Sequence, residues 1–121
     1  MINILWDASH IWGYLLLHAV KATGIPFRVL KGLDIAHSGL TGKMLIVPGG
    51  SARRKFEALG AQGTEAIHRF VKDGGHYMGF CGGAGLALAL KTPVTAVTGT
   101  TAGIVISHRI HLLNFGYTDS L

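Results

Sequence analysis

The chain has 121 residues, 49% hydrophobic and 14% charged, with a formal net charge of +5. That is apolar material for one core and too little chain for two, so a single domain over residues 1–121 is expected. The basic residues are dispersed apart from Arg53-Arg54-Lys55, which reads as a solvated helix face. No aromatic residues interleave with them as a nucleic-acid platform requires, so no nucleic-acid partner is expected.

The N-terminus lacks a basic region ahead of its apolar stretch, and no run of 18 uncharged apolar residues follows. Neither a signal peptide nor a membrane partner is therefore expected. A single cysteine forms no internal disulfide, which fits a reducing cytoplasm.

In chain order, Ile2 to Trp6 reads as a short buried strand ending at Asp7, followed by a polar turn, Asp7-Ala8-Ser9-His10. Ser9 is the expected N-cap of a helix from His10 to about Ala22, closed by Gly24 and Pro26. That helix is apolar nearly all round, which predicts burial on more than one side, partly by a second copy of the chain. Pro26 to Leu30 is a second strand. Lys31 to Lys43, with three glycines and no period, reads as a loop.

Met44-Leu45-Ile46-Val47 is a continuous apolar run, the pattern of a strand covered on both faces, and it ends in Pro48-Gly49-Gly50. Ser51 is the expected cap of a helix through Leu59, and Thr64 that of another ending near Lys72. His76 to Phe80 is the fourth strand. After Cys81 come a short Ala/Leu helix, a fifth strand over Val94 to Val97 and a sixth over Thr100 to Ser107.

The joint at Cys81 carries the chemistry. Gly79-Phe80-Cys81-Gly82-Gly83 fits the Gly-x-nucleophile-x-Gly elbow, where a sharp strand-to-helix turn strains the nucleophile's backbone and demands small neighbours. A thiol in the first turn of a helix also feels the positive end of the helix dipole, which favours thiolate. Set against this, a lone cysteine in apolar surroundings commonly serves as a small core residue.

Strands alternating with helices imply an α/β fold, a doubly wound and mainly parallel flavodoxin-like sheet with helices on both faces. Asp7, Pro48-Gly49-Gly50 and Cys81 then share the carboxyl rim, where such folds bind ligands. Asp7, Gly49 and Ser51 are the expected substrate-binding positions there.

Leu45 to Gly50, and Phe70 through Cys81 to Ala84, resemble the class I glutamine amidotransferase-like superfamily. The likeness is greatest to the amidotransferase-like domain at the N-terminus of some biotin–protein ligases, and it covers about residues 44–90. The resemblance implies that Cys81 is the nucleophile towards a small-molecule amide or acyl substrate. It further implies that the N–H groups of Gly50 and Gly82 form the oxyanion hole, a role that glycine's close backbone approach suits. No cofactor is implied.

The sequence departs from that family after the cysteine. A general-base histidine, commonly in a His-x-Glu arrangement, is expected well downstream, yet the chain ends 40 residues after Cys81 and has no glutamate beyond Glu65. On this reading the domain is a short version lacking its usual C-terminal part. His10, on the correct rim, and His108, if Ile104 to Ser107 is a parallel strand ending there, are the base candidates. His76 starts the strand that ends at Cys81, roughly 16 Å away at ~3.3 Å per residue. The seven histidines show no ligand spacing, so no metal is expected.

Two functions follow. One is a domain with a nucleophile elbow but no complete base, inactive alone and assembling as a homo-oligomer, for instance a dimer through the apolar helix. The alternative is an active cysteine-dependent amide or acyl hydrolase that uses His10, His108 or a residue from a partner chain.

Overall fold

The computed structural model describes residues 1–90, 103–106 and 110–114. Among the described residues, six strands form one sheet: β1 (Ile2–Leu5), β2 (Phe27–Leu30), β3 (Met44–Val47), β4 (His76–Phe80), β5 (Gly103–Ile106) and β6 (Ile110–Asn114), in the order β2-β1-β3-β4-β6-β5. All neighbouring pairs are parallel except β5 with β6, which is antiparallel. The helices are α1 (His10–Thr23), α2 (Gly32–Ser38), α3 (Ala52–Lys72) and α4 (Gly82–Ala89). The expected doubly wound, mainly parallel α/β fold is the one observed.

The pleat divides the sheet's side chains between two cores. Leu5, Leu45, Val47 and Tyr77 join Ile35, Leu59, Ile67, Phe70 and Leu86 in the larger core, built with α2, α3 and α4. Ile4 and Ile46 pack with Val20, Leu16 and Leu17 of α1 in the smaller. β1 and β3 are therefore covered on both faces, as the uninterrupted apolar run of β3 requires, and in β1 the buried Asn3 donates from its amide to the Thr41 and Met44 carbonyls at 2.7 and 3.0 Å.

Several local expectations are corrected. Residues 32–38 form α2, although the segment reads as a loop. The Lys31 N–H donates to the Asp34 carboxylate at 2.8 Å, and the Gly32 N–H donates to the Asp7 carboxylate 25 residues away. The second of these partners lies outside any local window. The expected break after Leu59 is present as a kink at Gly60, with φ 61°, but it is one residue long, so the second half of α3 begins directly after Gly60 and not at Thr64. Ser51 does cap α3, accepting from the Arg54 N–H at 3.2 Å.

The helix α1 ends at the left-handed Gly24, as its sequence predicts. Its burial is narrower than expected: Gly13 and Val20 are buried, while Ile11, Trp12, Tyr14 and Leu15 are each more than half exposed in the single chain. The expected strand over Val94 to Val97 lies outside the described residues. β5 runs antiparallel to its neighbour, so the parallel strand that was to bring His108 to the rim is not formed. His108 itself lies outside the described residues.

Candidate functional site

β1, β3 and β4 run parallel, so their carboxyl ends deliver Asp7, Pro48-Gly49-Gly50 and Cys81 to one rim. Cys81 has φ 52°, in the left-handed region that a residue with a Cβ adopts only under constraint. It is half-buried and free, and its carbonyl accepts the Gly85 N–H at 3.0 Å, the first bond of α4. The strained strand-to-helix turn read from the sequence is therefore present.

The glycines around it are demanded by contact. A Cβ at Gly79 would lie 2.6 Å from the Gly83 carbonyl carbon, and one at Gly83 would overlap the Val47 carbonyl oxygen. A Cβ on Gly82 would overlap the Gly50 carbonyl oxygen and lie 3.1 Å from the Gly50 nitrogen. The two glycine turns are thus packed backbone to backbone beside the cysteine. Gly50, with φ 115°, in turn lies against the Ala8 carbonyl, where a side chain would collide. An unbroken line of main-chain contact runs from the β1 turn through Gly50 to the cysteine turn.

That β1 turn is strained as well, with φ 52° at Ala8 and 50° at His10. Lys55 of α3, completely buried, donates from Nζ to the Asp7 carbonyl and to Ser9 Oγ, both at 2.7 Å. Burial pushes its ammonium down to about 8, while the Asp7 carboxylate acts in the opposite direction. The reading of Arg53-Arg54-Lys55 as a solvated face therefore fails at its third residue. A usable signal existed: Lys55, Leu59, Gly63, Ala66, Ile67 and Phe70 share one helical stripe, and all of them are buried. Ser9 likewise makes no side-chain cap to α1. Its hydroxyl accepts from Lys55 and lies 3.3 Å from the Leu5 carbonyl.

Among the other expected positions, Gly49 is buried under the Trp12 side chain, where an added Cβ would lie 3.1 Å from the indole. The Asp7 carboxylate is engaged by the Gly32 N–H, and Ser51 Oγ by the Arg54 N–H. His10 is exposed on the rim turn, His76 begins β4 at the opposite edge, and His68 lies in α3 with Nε2 2.6 Å from the Leu90 carbonyl. Among the described residues, no three His, Cys, Asp or Glu side chains group as a metal would require. None of the helices among them is long and apolar enough to cross a membrane. A cleft of about 490 Å³ between α2 and α3, bordered by His37, Arg69 and Asp73, opens at the edge away from Cys81.

Residues 39–92 match the family model "Biotin-protein ligase, N terminal". The elbow and the Pro-Gly-Gly turn both fall inside that match. In structure, the chain is similar to DJ-1 of Toxoplasma gondii in its oxidized form, with a TM-score of 0.67 over 93% of this chain and 80% of that one, at 13% identity. The fold is class I glutamine amidotransferase-like. A Thermoplasma acidophilum protein assigned as one of the subunits of GMP synthase shares it, with a TM-score of 0.53 over 84% of this chain and 50% of that one, also at 13% identity. A curated relative, an uncharacterized protein of Chlamydia muridarum (strain MoPn / Nigg), is 33% identical over 81 residues, 59% of this chain. The match spans about 31% of that relative's length.

Proposed function

We propose that this amidotransferase-like domain engages the carbonyl of a small amide or acyl substrate at Cys81. The observation that carries this reading is the left-handed backbone of Cys81, wedged between glycines that tolerate no side chain. In the step proposed, the thiolate forms an S–C bond to the carbonyl carbon and the π pair moves onto oxygen. The resulting alkoxide is received by the Gly50 and Gly82 N–H groups. Its collapse expels the amine, which takes up the proton that the base removed from the thiol, and leaves a thioester that water hydrolyses.

His10 is the candidate base on the described part of the rim. It is exposed and its backbone is strained, an arrangement that favours slow turnover by the chain alone and activity completed by a partner. The exposed apolar side of α1 supports assembly of two copies as that completion.

The test is the rate of Cys81 alkylation by iodoacetamide across pH. An activated thiol titrates near ~6–7, whereas an ordinary one titrates near ~8.5. An ordinary profile, unchanged from that of N-acetylcysteine, would remove the nucleophile reading.

A further inference from the structure

The Asp7–His10 turn forms the wall against which Gly50 is held. Its conformation is unfavourable at two non-glycine residues, Ala8 and His10, so something outside the turn must impose it. Lys55 Nζ donates to the Asp7 carbonyl and to Ser9 Oγ, bracketing Ala8 from both sides in sequence. The Ala8 carbonyl between those two anchors is the group that meets Gly50.

Lys55 also stands on the first turns of α3, the helix that follows Gly50 directly, and its own N–H donates to the Ser51 carbonyl at 3.1 Å. Lys55 and Gly50 therefore grip the same turn from the two ends of one short, helically constrained segment. A lysine is rarely taken wholly out of water, and this one is buried with its ammonium spent on main chain and a serine. Packing alone would be served as well by methionine.

Resting on the oxyanion role given to Gly50 above, we infer that Lys55 is a positioning residue. By locking the Asp7–Ser9 turn it sets the plane of the Gly50 peptide, and with it the direction of the N–H offered to the developing oxyanion. Lys55 touches no reacting atom. Its effect belongs to steps that build negative charge on a carbonyl oxygen and is absent from steps that do not.

Two probes of Cys81 separate these cases. Acylation by p-nitrophenyl acetate forms the S–C bond through a tetrahedral alkoxide and expels p-nitrophenolate. Alkylation by iodoacetamide displaces iodide at a saturated carbon and builds no oxyanion. Because both rates share the thiolate fraction and the accessibility of the sulfur, their ratio isolates the oxyanion contribution.

Lys55→Met, which keeps the stem and removes the donor, is expected to lower the ratio about tenfold relative to the unmodified chain, with alkylation unchanged. Ser9→Ala removes one of the two anchors and is expected to lower it about threefold. The Ser9 variant carries the test alone if the Lys55 variant fails to melt cooperatively. A folded variant of either kind with the ratio of the unmodified chain overturns the inference. An unmodified chain whose ratio equals that of N-acetylcysteine removes the oxyanion reading itself, and Lys55's role with it, so the two failures are told apart.

Discussion

The phenol of Tyr77 donates to the carbonyl oxygen of Gly83 at 2.6 Å, across the base of the turn that presents Cys81. Tyr77 sits on β4, four residues before the cysteine, and Gly83 lies in the first turn of α4. One buried hydrogen bond therefore ties the strand entering the elbow to the helix leaving it. Tyr77→Phe leaves the Gly83 carbonyl without this donor in a site closed to water. We expect a loss of about 1–3 kcal/mol in urea unfolding, together with slower alkylation of Cys81 as the helix start loosens.

The buried ammonium of Lys55 makes stability depend on pH in a definite direction. Its pKa in the fold is about 8, below the 10.5 of an unburied lysine. Between those values the unfolded chain binds the extra proton, so the Lys55 contribution to stability rises with pH, by on the order of 3 kcal/mol over the full interval. Burial pushes the Tyr77 phenol well above its usual range, and its opposing loss of stability begins only as the unfolded phenol ionises near ~10. The urea midpoint of the unmodified chain should therefore gain on that of Lys55→Met between about pH 8 and about pH 9.5. Parallel curves would contradict the burial of a titrating lysine.

The backbone contact between Gly50 and Gly82 predicts intolerance at both positions. Gly50→Ala places a methyl group on the Ala8 carbonyl at φ 115°, and Gly82→Ala places one on the Gly50 carbonyl. Each should cost on the order of 3 kcal/mol, read from thermal or urea unfolding. At Gly24, also left-handed but with open space around it, alanine should cost only about 1 kcal/mol.

The apolar side of α1 gives a prediction about assembly. Ile11, Trp12, Tyr14 and Leu15 stand exposed together in the single chain. Sedimentation of the unmodified chain should show a concentration-dependent dimer, and Leu15→Asp should give a monomer with the same circular dichroism. A monomer at every concentration would contradict the proposed assembly.

The parts of the fold legible in the sequence are those governed by short-range rules. The apolar run of β3, the left-handed stop at Gly24, the Ser51 cap and the small residues around Cys81 each report a constraint their own neighbours impose. What the sequence conceals depends on partners far away. The helix α2 rests on the Asp7 carboxylate at Gly32 and on a close approach to α3, where a Cβ at Gly32 would come within 2.7 Å of the Ala58 backbone. Lys55 reads as solvated beside Arg53 and Arg54, although the helical stripe it shares with Leu59 and Ile67 faces the core. Ser9 reads as a cap because its type and place fit one, while the buried ammonium 46 residues away takes its hydroxyl.

The most direct test is a crystal structure of the chain reacted with a small aliphatic aldehyde, whose hemithioacetal on Cys81 places an oxygen where the tetrahedral alkoxide would stand. That oxygen is expected within about 3 Å of both the Gly50 and the Gly82 nitrogens. An adduct whose oxygen turns to solvent with neither amide in reach, or a sulfur that forms none while free thiols do, would contradict the oxyanion reading.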